Sequence, residues 1–154
     1  MADYYENFAE KFTIQGTVTC AVMTNMHTAD RVLEVACGPG KHSLMLAQNF
    51  LKKKGVLVSC DFSQAMVNKL HQNFAEFDND YVKVDGNKFH VDTTSNYLEF
   101  SDESNSSLKN LFEVEKIVGE QGDFSKLVLG CQANNECLPF PDASFGAYIA
   151  NLSV

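Results

Sequence analysis

Three features at fixed spacing carry the chemistry latent in this chain. They are an acid, Glu34, on an apolar run; two glycines, Gly38 and Gly40; and a second acid, Asp61, 21 residues after Gly40. Without a Cβ, Gly38 and Gly40 let the backbone turn sharply and come close to a ligand. A helix opening near Lys41 to Leu44 would aim its first N–H groups over that turn, with the positive end of its dipole behind them. Such a corner suits an anionic group. Glu34 narrows the choice, because a carboxylate there repels a pyrophosphate but attracts an ammonium held beside a carboxylate. Asp61 stands where a nucleoside site places the acid that takes two ribose hydroxyls. The combination points to a zwitterionic nucleoside such as S-adenosylmethionine. A nicotinamide dinucleotide is disfavoured by Glu34 and by Ser43, which stands at the place of the third glycine.

These residues need a strand–turn–helix–strand frame to hold them. Val32, Leu33 and Val35 form the β-branched, apolar run of a buried parallel strand, and Val56-Leu-Val-Ser-Cys60 forms a second. Between them, Leu44, Ala47 and Leu51 predict the core-facing stripe of a helix, and Gly55 stands in the loop back to the sheet. A further helix, with Met66, Val67, Leu70 and Phe74 on one face, is expected to end near Phe77. Leu127 to Cys131 predicts a third strand and Ala147 to Leu152 a fourth. In residues 1–30, Tyr4, Tyr5, Phe8 and Phe12 lie at helical spacing, and Thr17 to Met26 predicts the helix before the first strand. His42, beside the turn, reads as a surface or capping residue.

Three segments make the chain resemble a class I S-adenosylmethionine-dependent methyltransferase, most closely the branch that includes the ubiquinone- and menaquinone-biosynthesis enzymes. They are Leu33-Glu-Val-Ala-Cys-Gly-Pro-Gly40, Asp61-Phe-Ser-Gln-Ala-Met66, and the run from Gln132 to Phe145 that contains Leu138-Pro-Phe-Pro-Asp142. The resemblance covers residue 31 to the end apart from one insertion. It implies a Rossmann-like, doubly wound α/β sheet of strand order 3-2-1-4. It also implies S-adenosyl-L-methionine as cofactor, with Glu34, Ala36, Cys37, Gly38 and Gly40 around the methionine moiety. Asp61 would take the ribose, with Phe62, Ser63 and Met66 beside it, and Asn134 and Asn135 would lie at the adenine. Asn151, at the end of the fourth strand, is the candidate polar contact near the transferred methyl; the alternative is a strand-end hydrogen bond. No catalytic base is assignable. The implied function is methyl transfer to a small-molecule acceptor, with this chain supplying the cofactor-binding half. The alternative is a non-catalytic cofactor-binding or scaffold subunit, from a truncated or split enzyme, that needs a partner chain.

The chain departs from the family pattern in three places. Gly146 stands where the family usually has an aspartate after the phenylalanine, which costs a structural hydrogen bond at the strand start. The sequence stops at Val154, so the expectation is one incomplete domain over 1–154, truncated after the fourth strand. That strand then becomes an apolar edge open to homo- or hetero-association. The third departure is an acidic insertion, 78–125, between the second and third strands. Within it, Tyr81 to Val91 alternates around Asp85-Gly86 as a hairpin would, and Leu108 to Val118 predicts an amphipathic helix.

Composition sets the remaining bounds. The formal net charge is −8, and between Glu76 and Lys126 twelve acids stand against five lysines. Phosphate backbones call for basic patches, so a nucleic-acid partner is not expected. The one basic run, Lys52 to Lys54, is expected to complement a helix C-terminus. No stretch is long and apolar enough to span a membrane, and the N-terminus lacks the apolar core of a signal peptide. Five cysteines without C-x-x-C spacing predict free thiols, no metal site and a reducing, cytoplasmic compartment.

Overall fold

The computed structural model describes residues 2–76, 81–85, 91–92, 97–99, 126–138 and 140–150, with side chains for 11–74, 126–138 and 140–150. In chain order the elements are α1 (Ala2–Met23), β1 (Arg31–Val35), α2 (Lys41–Asn49), β2 (Val56–Asp61) and α3 (Gln64–Glu76). They continue with β3 (Tyr81–Asp85), β4 (Val91–Asp92), β5 (Tyr97–Glu99), β6 (Lys126–Gln132) and β7 (Ala147–Ala150). The two predicted N-terminal helical segments are one continuous helix, closed by Asn25 in the left-handed region and a short 3-10 turn.

At the centre lie four parallel strands in the order β6-β2-β1-β7, which is the expected 3-2-1-4. The sheet reverses direction of growth between β1 and β7, and in doubly wound sheets ligands bind at that switch, beyond the carboxyl ends of the strands. Side chains alternate faces along each strand. Val32, Leu57, Val128 and Ile149 pack in one buried cluster with Ala21 of α1, Leu46 and Ala47 of α2, and Leu70 and Phe74 of α3. Leu33, Val35, Val58, Cys60, Leu129 and Cys131 form the cluster on the other face, joined by Leu138, Phe140 and Phe145. By that alternation Glu34 and Ser59 face the helices. They also sit in one row, since Glu34 pairs in register with Ser59, and Ser59 with Gly130.

Three expectations are corrected. The Asp85-Gly86 hairpin does not form: β3 runs parallel to both β6 and β5, and β4 pairs antiparallel with β5. Part of the insertion therefore extends the sheet beyond β6 in place of standing off as a hairpin; the expected helix over 108–118 lies outside the described residues. The alternation over Tyr81 to Asp85 does mark a strand, but local pattern does not say which strand is the partner. Second, Lys52 to Lys54 do not cap α2, which ends at Asn49. Lys52 pairs with Asp30. The last carbonyls of α2 receive Lys126 of β6 instead, whose Nζ donates to Ala47 O at 2.6 Å and Gln48 O at 3.3 Å. Third, the stripe Leu44, Ala47, Leu51 outruns its helix, and Leu51 is buried from the turn that follows. Gly55 does stand in the loop before β2, where it is needed for room: a Cβ there would stand 2.8 Å from Lys52 O, and the left-handed residue beside it is Lys54 (φ 64°).

Gly146 has a positive reason to be glycine. Its N–H donates to Arg31 O at 2.9 Å, and an added Cβ would lie 3.3 Å from the Ala29 Cβ. The strand start is held by backbone in place of the missing carboxylate.

Candidate functional site

The turn after β1 is built from left-handed residues. Ala36 (φ 53°), Gly38 (φ 58°) and Gly40 (φ 78°) alternate along it, and the chain enters α2 directly from Gly40. Cys37 N–H donates to Cys60 O at 3.0 Å, which ties the turn to the end of β2. Asn73 of α3 supports it from the side, with Nδ2 donating to Pro39 O at 2.7 Å. The two glycines serve different ends. A Cβ on Gly40 would stand 2.0 Å from Leu70 Cδ1, so this glycine admits α3. A Cβ on Gly38 would meet nothing within 4 Å. Gly38 therefore borders open space, the kind a ligand fills.

Ala36 is the one turn residue that pays for its φ. An L side chain in the left-handed region costs about 1–2 kcal/mol, whereas glycine sits there freely but loses more entropy on folding. Ala36→Gly is expected to stabilise the protein by about 0.5–1 kcal/mol in urea unfolding. An unchanged or lowered midpoint would show that the strain is absent.

Asp61 closes the corner from β2. Its Oδ2 accepts the Gly38 N–H at 2.9 Å and its Oδ1 accepts the Ser63 N–H at 2.9 Å, while its own carbonyl accepts Ala133 N–H at 3.0 Å. One carboxylate thus joins the glycine turn, the start of α3 and the segment after β6. Ser63 opens α3, with Met66 N–H at 3.0 Å from its carbonyl and 3.4 Å from its hydroxyl. Phe62, 70% exposed, stands between them with its carbonyl accepting Gln132 Nε2 at 2.9 Å.

Glu34 lies below the turn and is only 5% exposed. Both available hydroxyls converge on one of its oxygens: Ser43 Oγ donates to Oε2 at 2.5 Å and Ser59 Oγ to the same Oε2 at 2.8 Å. Burial raises its pKa from 4.5 to about 7 against the opposing pull of these two bonds. Burial, followed by the nearby charges of Glu34 and Asp61, pushes the Cys37 thiol far up, so Cys37 stays a neutral contact and no nucleophile.

The structure therefore brings together Glu34, Ala36, Cys37, Gly38, Gly40, Asp61 and Ser63, with Phe62 and Met66 adjoining on the strand end and first turn of α3. Asn134 and Asn135 are exposed directly after Ala133, which bonds to Asp61. Asn134 shapes its own turn, accepting Glu136 N–H on Oδ1 and Cys137 N–H on its carbonyl, each at 3.0 Å. Asn151 lies outside the described residues. The His42 ring contacts the hydroxyls of Thr13 and Thr17 in α1. Spacing marks Ser43 only as the occupant of the third glycine's place, and it does not mark Ser59 as a site residue. The signal for Ser59 is a hydroxyl inside an otherwise apolar strand, in register with a buried acid, whereas Ser43 lies on α2.

Among the described residues no group of three or more His, Cys, Asp or Glu side chains could hold a metal ion, and the five cysteines are free. No helix among them is long and apolar enough to cross a membrane. A family model described as a methyltransferase domain matches residues 32–116. No curated protein and no solved structure matches the chain.

Proposed function

The chain belongs to the methyltransferase-domain family, and from that premise we propose that it binds S-adenosyl-L-methionine at the β1–α2 corner and transfers its methyl group to a small-molecule acceptor. The observation that carries the proposal is the convergence of Glu34, Gly38 and Asp61 on one corner, with Gly38 linked to Asp61 by a 2.9 Å hydrogen bond. The fit follows from the donor set. Asp61 retains lone pairs for a ribose diol, since each oxygen accepts one backbone N–H and a carboxylate oxygen can accept two bonds. The open side of Gly38 leaves room for the amino-acid arm. The amides at the start of α2 favour a carboxylate, and Glu34 favours an ammonium. Phe62 offers an exposed ring beside the ribose site.

The bound sulfonium supplies an electrophilic methyl group. The chain's own residues have the task of alignment: Asp61 fixes the sugar and the turn fixes the amino-acid arm. The net charge of −8 supports a small acceptor over a nucleic acid. Calorimetric titration with S-adenosylhomocysteine tests the reading. The wild type is expected to bind, and Asp61→Asn to bind about tenfold to hundredfold more weakly through loss of a charged acceptor. A folded sample that releases no heat would end the proposal and leave a scaffold role.

A further inference from the structure

We propose that Ser43 and Ser59 are positioning residues for the ligand's ammonium: by donating together to Oε2 of Glu34, they leave Oε1 as the oxygen that receives it. The proposal rests on the reading of the corner as a site for S-adenosylmethionine and its product. Each serine is fully buried, and they come from different elements, α2 and β2, separated by 16 positions in the chain. Both bonds nonetheless end on one oxygen atom, at 2.5 and 2.8 Å. No described residue donates to Oε1, although the carboxylate is buried and every buried side-chain polar atom among the described residues has a partner. Oε1 is thus the one edge of the group still in touch with open space, as an acceptor awaiting a donor would be.

Geometry restricts what that donor is. Hydroxyls donating to the carboxylate favour its charged form, so the arrangement is suited to a cation and not to a neutral hydroxyl. The groups around it do not provide that cation. Cys37 on the turn and Cys60 on β2 are the titratable neighbours, and both thiols are pushed far above their ordinary range, the first chiefly by burial and the second by its hydrogen bond to Cys131. Ile149 of β7 flanks Glu34 on the other side in register. On α3, His71 is occupied with Gly130 O at 3.1 Å, and Asp61 is occupied with the amides of Gly38 and Ser63. No charged side chain contributes to the shift at Glu34; its causes are burial and the two serines. Among the side chains around this carboxylate, Ser43 and Ser59 are thus the ones that favour its charged form, against the opposing effect of burial.

The test compares S-adenosylhomocysteine with its desamino analogue, which keeps the nucleoside, sulfur and carboxylate but lacks the ammonium. Affinities are measured from pH 6 to 9 for the wild type, for Ser43→Ala and Ser59→Ala singly, and for the pair. The wild type is expected to prefer the amino ligand increasingly as pH rises through about 7. Each single change is expected to weaken the amino ligand about tenfold near neutral pH and to move the rise of its affinity to higher pH. The desamino ligand should keep its wild-type affinity, and Ser43→Thr should restore the amino preference. Equal losses for both ligands, or an unshifted pH profile in a folded single variant, would overturn this proposal while leaving the cofactor site standing. A wild type that binds neither ligand would overturn both. Should the double variant fail to fold, the two single variants decide the matter by the same ratio.

Discussion

Glu34→Gln is expected to make the ligand-free protein more stable above pH 7 and at the same time to weaken S-adenosylhomocysteine binding by about 30- to 150-fold. The two effects have opposite signs because one carboxylate is costly to the empty fold and useful to the complex. Its pKa is raised from 4.5 to about 7 by burial. An acid whose folded pKa is raised holds its proton more tightly in the folded state. Its contribution is fully present below about 4.5 and is lost as pH rises through about 7. The loss across that window is on the order of 3 kcal/mol, at about 1.4 kcal/mol per unit of pKa. Glutamine has no proton to release, and its carbonyl oxygen accepts the Ser43 and Ser59 hydroxyls as Oε2 does. Wild type and variant should thus have similar unfolding midpoints near pH 5 and diverge by several degrees at pH 8. Binding moves the other way, since an amide in place of a carboxylate removes a charge-assisted hydrogen bond to the ammonium worth about 2–3 kcal/mol. Parallel midpoints at both pH values would show that Glu34 does not titrate near neutrality. Undiminished binding would remove it from the ligand site.

Alanine at the two turn glycines is expected to separate folding from binding. Gly40→Ala should cost about 3 kcal/mol of stability, the sum of a left-handed φ for alanine and overpacking against a buried leucine. The clash is direct: the new Cβ would stand 2.0 Å from Leu70 Cδ1, with Phe74 Cε1 at 3.4 Å behind it. Leu70 and Phe74 are both fully buried, so neither can move aside without displacing α3 from the sheet. Gly38→Ala incurs a similar backbone cost, about 1–2 kcal/mol, but no clash, because its Cβ meets nothing within 4 Å. That same open space is where the amino-acid arm of the ligand is proposed to lie. Gly38→Ala should therefore remain folded while losing S-adenosylhomocysteine affinity at least about tenfold. Urea unfolding and calorimetry on the two variants check both halves. Equal stability losses would mean that the glycines do one job; full affinity in Gly38→Ala would move the ligand elsewhere.

How much of this was legible before the fold was known follows from the range of each interaction. The corner itself is local. Strand, glycine turn and helix are encoded within Arg31 to Leu44 by apolar periodicity and by the φ values only glycine takes freely, and the second strand announces itself by the same means. The spacing to Asp61 then follows from the length of one helix and one loop. Even the order of the four central strands was within reach, through the likeness of three segments to a known family. Strand partners in the insertion were not. Tyr81 to Asp85 reads as a strand from its alternation, yet nothing in those five residues distinguishes a hairpin with Val91 from a parallel place beside β6.

What only the tertiary structure decided is which distant polar atoms meet. Lys126 caps α2 from 77 residues beyond the helix end, where the adjacent lysines were the nearer choice in sequence. Ser43 and Ser59 share one oxygen of Glu34 because α2 folds back over the row in which β1 and β2 pair. Sequence patterns encode which residue types are buried and with what period. The saturation of a single carboxylate oxygen is a matter of tenths of an ångström, set by the packing of elements that the chain itself keeps far apart.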